Sequence, residues 1–199
     1  MIVVFIVLGF CYEVKEMHGA KWLKVFHHDC TGGYYFSNLE EAAFSTNPRK
    51  FSIIKLINDD YKVDGYFEFL LEYPEIPGMN RWKQLKSPYD NPEVYGKTAD
   101  GYQGISISWD KYYWGGLIRS SLTGITLLEG SAGAQSYAWY MLGCISNGYY
   151  PYIPGPNGIY VNIANLWIRI DGTKTDTSIT VARKGFNLML QLLTYFMVL

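Results

Sequence analysis

Residues 64–73, DGYFEFLLEY, constrain the fold more than any other stretch of the chain. Phe67, Phe69, Leu71 and Tyr73 fall on one side of an extended backbone and Glu68 and Glu72 on the other, the period of two that a half-buried strand requires. The Asp64-Gly65 pair just before it is a hairpin turn signal. Comparable alternation recurs along the chain. In KWLKVFHH, Leu23 and Val25 share one face, with Trp22, Lys24 and Phe26 on the other; in GISISW, Ile105, Ile107 and Trp109 oppose Gly104, Ser106 and Ser108. YAWYMLGC alternates as well, and IYVNIANLWIRI closes the series with Leu166, Ile168 and Ile170 on one face.

Gly, Pro, Asn and Asp separate these runs. Two helical turns are expected: SNLEEAAF, capped by Ser37 or Asn38, and FSIIKLIN, capped by Ser52, with Ile53, Leu56 and Ile57 on one face. No strand is regularly followed by a long crossover helix, so the reading is an all-β fold with one or two short helices. The expected form is an antiparallel β-sandwich of jelly-roll type. There is no internal repeat and no low-complexity tract.

With 199 residues, 49% of them hydrophobic and 17% aromatic, the chain can bury a full core as one domain. Its net charge is -1, and no basic stripe is present to track a phosphate backbone, so nucleic acid is not an expected partner.

The ends differ from the middle. Ile2 to Phe10 is an apolar run of the length of a signal-peptide h-region and too short to span a bilayer. It lacks a basic segment before it and a small-x-small cleavage pattern after it, and a buried first strand is the alternative. Residues 1–18 are taken as leader and linker, 19–172 as the module, and 173–199 as a polar spacer and apolar tail. That tail has the layout of a GPI-attachment signal, while Asn187, Gln191 and Thr194 give it the polar stripe of a packed or membrane-surface helix; a truncated terminus is the third reading. Membrane association through the tail and a secreted or cell-surface location are the corresponding expectations. Removal of a leader near Cys11 leaves Cys30 and Cys144, which form either one disulfide or two buried thiols.

No P-loop, dinucleotide-binding GxGxxG or GxSxG elbow occurs. His27, His28 and Asp29 form the most metal-like cluster, yet adjacent strand residues point to opposite faces, so no metal or other cofactor is expected. Glu68, Glu72 and Glu75 offer carboxylates for a glycoside hydrolase. Glu68 and Glu72, four apart on one strand face, lie about 13 Å from each other at ~3.3 Å per residue and are not an acid–base pair by themselves. The chain is therefore read as non-catalytic.

Aromatic clusters at expected strand ends carry the functional reading. Trp82 sits among Asn80, Arg81 and Gln84; Tyr112, Tyr113 and Trp114 sit with Asp110 and Arg119; and Tyr149, Tyr150 and Tyr152 fall in a loop. Sugar rings stack an apolar C–H face on Trp or Tyr while their hydroxyls seek Asp, Asn and Arg. Trp114, Tyr113 and Arg119, with Asp110 and Trp82 as neighbours, are the candidate contact surface for a glycan or a surface protein. Aromatics at strand ends also cap sandwich cores, and that is the competing role for each.

The phrases WLKVFHHDCTGGYYFSN, DGYFEFLLEYPE, NRWKQLKSP, GYQGISISW, WGGL, LLEG, YAWYMLGC, IPGP and NLWIRI, in this order over residues 21–170, resemble a family of extracellular β-rich modules in surface or matrix proteins of protists and marine invertebrates. The resemblance implies secretion and a binding or matrix role, and it implies no reaction. Two departures stand out: Glu129-Gly130 replaces Asp-Gly, and QSYAWY lacks the Asn that the pattern places before the tryptophan.

Overall fold

The alternation at residues 67–73 becomes a central strand of a large sheet. The computed structural model describes residues 2–7, 10–29, 31–32, 36, 39–90, 98–109, 114–118, 129–130, 140–141 and 161–170. Its strands are β1 (Ile2–Val7), β2 (Phe10–Met17), β3 (Ala20–Asp29), β4 (Ser45–Asn47), β5 (Lys50–Ser52), β6 (Phe67–Glu72), β7 (Asn80–Gln84), β8 (Gln103–Ile107), β9 (Leu117–Ile118), β10 (Glu129–Gly130), β11 (Tyr140–Met141) and β12 (Ile163–Ile170), with one helix, α1 (Leu39–Ala43). The nine-stranded sheet runs β1-β2-β3-β12-β6-β7-β8, with β5 pairing to β3 and β4 to β5; β11-β10-β9 form a three-stranded sheet. Every pairing is antiparallel. The all-β class read from the sequence is the class observed.

Long-range closure defines the centre of this sheet. β12, near the end of the described chain, inserts between β3 and β6, so its hydrogen bonds are satisfied on both sides. Phe67, Phe69, Leu71 and Tyr73 then share one face with Ala164, Leu166, Ile168 and Ile170 of β12 and Leu23 and Val25 of β3, all buried. Ala42 of α1, the turn residues Ile53, Ile54, Ile57 and Tyr61, and Trp109, Trp114 and Leu117 close over that face. Among the described residues, the layer opposite the large sheet consists of these turns, α1 and residues 114–118 rather than a second sheet of comparable size.

Turn chemistry matches the sequence where the chain must reverse tightly. Asp64 and Gly65 have φ of 53° and 81°, and Val63 and Tyr66 exchange both backbone hydrogen bonds, at 2.8 and 3.1 Å, the geometry of a type I′ hairpin. His18 and Gly19, with φ of 52° and 73°, make the same turn between β2 and β3.

Three local expectations are corrected. Phe26 joins Leu23 and Val25 in the core rather than Trp22 and Lys24, because a bulge opposite Leu166/Trp167 inserts one residue into β3 and shifts the alternation. A second bulge, opposite Arg81/Trp82, leaves Ile105 45% exposed while Ile107 packs against the core. Residues 52–58 form no α-helix: Ser52 ends β5, a 3-10 turn spans Ile54–Leu56, and Leu56 is exposed while Ile53, Ile54 and Ile57 are buried. The helical turn expected in SNLEEAAF is α1. At the N-terminal side, β2 pairs with β3, and Val14 is part of the core, so the sheet begins before residue 19.

Candidate functional site

β7 is the element that positions the aromatic segment 109–118. Its sequence NRWKQ puts Asn80, Trp82 and Gln84 on the core face, and all three are fully buried. Two primary amides in an apolar core are costly unless every polar atom finds a partner. Both find theirs on neighbouring backbone.

Asn80 treats Trp109 as a strand would. Its Nδ2 donates to the Trp109 carbonyl at 3.0 Å, and its Oδ1 accepts from the Trp109 N–H at 2.9 Å. Gln84 does the same for Leu117: Oε1 accepts from the Leu117 N–H at 3.0 Å, and Nε2 donates to the Leu117 carbonyl at 2.9 Å. Gln84 Oε1 also accepts from Trp82 Nε1 at 2.8 Å, and Nε2 reaches the Lys86 carbonyl at 2.8 Å.

Packing completes the clamp. Trp114 meets Trp82 edge-to-face with ring centroids 4.9 Å apart, Trp82 stacks on Phe69 at 5.6 Å, and Trp109 tilts against Tyr73 at 5.1 Å. Gly116, with φ of +90°, passes so close to β7 and its neighbours that a Cβ there would stand 2.8 Å from Ala99 Cβ and 3.0 Å from Gln84 Oε1. The Gly115 carbonyl accepts from Ala99 N–H at 2.8 Å. Nearby, burial pushes the Tyr102 hydroxyl up to about 12.

Trp82 and Trp114, expected on a contact rim, are therefore core residues, 0% and 4% exposed. Burying two indoles removes far more apolar surface from water than a rim position would, and β7 supplies the hydrogen-bond partner that Trp82 needs. Asp110, Tyr113 and Arg119 lie outside the described residues, as does Tyr112. Residues 110–113 run between two positions whose neighbours are fixed, Trp109 by Asn80 and Trp114 by Trp82.

Sequence reasoning named Asn80 and Gln84 only as polar neighbours of a sugar-stacking tryptophan. The available signal was their period-two spacing with Trp82, which places two amides and an indole on one strand face.

The charged groups are engaged elsewhere. Glu68 is fully buried on the opposite face of the sheet, ion-paired to Arg81 at 2.5 Å and Arg169 at 2.9 Å. Glu72 accepts from Trp167 Nε1 at 2.8 Å and Asn165 Nδ2 at 3.2 Å. Hydrogen bonds from Arg49 and Thr31 hold the Asp29 carboxyl far below its usual range. Burial pulls the Glu75 carboxyl up, but hydrogen bonds from Asn162 and Ile163 leave it lowered on balance. His27 and His28 point to opposite faces, His27 to Asn165 and His28 into the core against Phe26 and Phe36. Among the described residues no three His, Cys, Asp or Glu side chains gather as a metal site, and no helix is long and apolar enough to cross a membrane. Cys30, Cys144, the loop tyrosines 149, 150 and 152, and the tail 173–199 lie outside the described residues.

No protein-family model, curated protein or solved structure matches the chain.

Proposed function

We propose that this chain is a non-catalytic recognition module of the cell surface or extracellular space, and that it contacts a glycan through residues 110–113 and Arg119. The observation that carries the reading is the double amide clamp. Asn80 and Gln84 hold the backbone at Trp109 and Leu117, the described positions that flank the Asp-Lys-Tyr-Tyr segment in sequence. Anchored ends lower the entropy cost of ordering a contact loop, which is how loops on rigid scaffolds gain affinity. Tyr113, Asp110 and Arg119 supply the stacking ring and the polar partners in this reading, while Trp82 and Trp114 belong to the core. The resemblance to extracellular modules motivates the surface location, and the apolar tail a membrane attachment.

The test is a glycan-array screen of the full chain with Tyr113→Ala and Arg119→Ala beside it. Specific binding that both substitutions weaken tenfold or more supports the reading. Binding untouched by both, in variants with unchanged circular dichroism, refutes the loop assignment. Capture of a surface protein in place of any glycan assigns the loop to protein contact.

A second reading is a structural or matrix module without a small ligand, and the burial of Trp82 and Trp114 favours it. It predicts silence on the array together with protection of tryptophan fluorescence from a water-soluble quencher. A glycoside hydrolase draws no support from Glu68 and Glu72, whose carboxylates are bonded to Arg81, Arg169, Asn165 and Trp167.

A further inference from the structure

The outer face of the large sheet, turned away from the main core, gathers cations that the sequence keeps far apart. Register sets Lys15 of β2 opposite Trp22 of β3, Trp22 opposite Arg169 of β12, and Glu68 of β6 opposite Lys83 of β7; the pairing of Phe69 with Ile168 brings Arg169 beside Glu68. Neighbouring strands stand ~4.8 Å apart, so Lys15, Arg169 and Lys83 follow one another at about 10 Å along this row. The next row, two residues along the strands, has Lys24 and Arg81 with Trp167 and Leu70 between them.

Carboxylates are too few to neutralise these cations. Glu13 serves both Lys15, at 3.1 Å, and Lys24. Glu68 serves Arg81 at 2.6 Å, Arg169 at 2.9 Å and, at 3.9 Å, Lys83. Glu72, the third carboxylate on this face, accepts from Trp167 and Asn165. Five cations thus meet three carboxylates, an excess of two positive charges in a chain whose net charge is -1. Donors also stay open: among the described residues Arg169 donates only through Nη1 and Arg81 only through Nε and Nη2, while Lys83 Nζ lies beyond hydrogen-bond distance of Glu68. The side chains of Arg169 and Lys83 are 31% and 25% exposed, whereas that of Glu68 is 1% exposed.

Apolar groups do not share this surface. Trp22, Leu70 and Trp167 are at most 1% exposed, with Lys15 and Lys24 each 4.8 Å over Trp167 and Arg81 5.4 Å over Trp22. A membrane-surface site needs apolar side chains to insert, and a single-stranded nucleic acid site needs open rings for its bases. A flat charged face whose rings are covered suits instead a polymer recognised through its charges.

We propose that this face binds an anionic polysaccharide, whose sulfate or carboxylate groups bridge successive cations of the row, accepting from the open N–H groups of Arg169 and Arg81 and pairing with Lys83 and Lys15. Arginine forks and lysine point charges are the groups that hold such anions. The loop reading neither supports nor requires this site.

The test measures binding of the full chain to heparin oligosaccharides, sulfate-free hyaluronan oligosaccharides, phosphatidylserine vesicles and oligo-dT at low and physiological salt. Salt-sensitive binding to either polysaccharide, tighter than to vesicles or oligo-dT, is the expected result; heparin over hyaluronan assigns the anion as sulfate and the reverse as carboxylate. Lys15→Gln combined with Lys83→Gln, which removes neither arginine from Glu68, should weaken that binding about tenfold. Lys55→Gln combined with Lys62→Gln makes the same charge change on the turns that close over the core face, and should leave affinity within about twofold. Equal losses in the two double variants, or unchanged affinity in the first with native circular dichroism, overturn the proposal. So does a preference for vesicles or oligo-dT, or the lack of saturable binding to either polysaccharide.

Discussion

Replacing Gln84 with leucine tests the clamp most directly. The substitution nearly conserves volume and deletes four hydrogen bonds, to Trp82 Nε1, the Leu117 N–H, the Leu117 carbonyl and the Lys86 carbonyl. At about 1 kcal/mol net for each bond the loss is about 4 kcal/mol, and added apolar contact returns about 1 kcal/mol, leaving a destabilisation of about 3 kcal/mol. For a chain of this size that lowers Tm by about 6–12 °C. Urea unfolding followed by tryptophan fluorescence measures it, as a shift of the midpoint at constant slope. Amide exchange adds the local readout: the Leu117 N–H, which Gln84 alone accepts from in the clamp, should lose protection by a larger factor than the amides of β12. A destabilisation under about 1 kcal/mol with Leu117 still protected would refute the reasoning, since orphaned polar atoms in a dry core cost at least that much.

The remaining expectations probe other parts of the fold. Gly116→Ala combines a positive φ with a Cβ only 2.8 Å from Ala99 Cβ and should cost about 2 kcal/mol in the same urea assay. Glu68→Gln leaves Arg81 and Arg169 sharing one neutral amide on the buried side of the sheet and should cost about 2 kcal/mol, checked against Arg169→Gln in a double-mutant cycle that returns a coupling of about 1 kcal/mol or more. Asp29 is held below its ordinary carboxyl value of 3.8 in the folded state, so its stabilisation is complete above that value and is lost as pH falls below it. Asp29→Asn should therefore flatten stability against pH below about pH 4 in thermal melts, and an unchanged acid limb would contradict the Arg49 and Thr31 contacts.

How much of this was legible beforehand follows the range of the interactions. Short-range patterns were readable: the Phe67–Tyr73 alternation, the Asp64-Gly65 turn, the faces of β12, α1, and the separation of His27 from His28 all depend on residues a few positions apart. Where a bulge intervenes, period-two reading fails one residue later, which is why Phe26 and Ile105 were put on the wrong faces. The site was read less well. Trp82 and Trp114 stood out as aromatic residues beside polar ones, a pattern shared by a sugar platform and by a core whose polar members are satisfied.

Composition and alternation, acting through the local geometry of the backbone, determined that this chain folds as antiparallel sheet. Only the tertiary structure decided that β12 closes the sheet between β3 and β6, that Asn80 and Gln84 serve as strand partners for Trp109 and Leu117, and that Asn165 bridges Glu72 and His27. These pairings join residues 29 to 138 positions apart, and nothing in a local sequence window encodes which distant backbone atom will satisfy a buried amide. The requirement that it be satisfied is written in the residue type, while the partner is chosen by the fold.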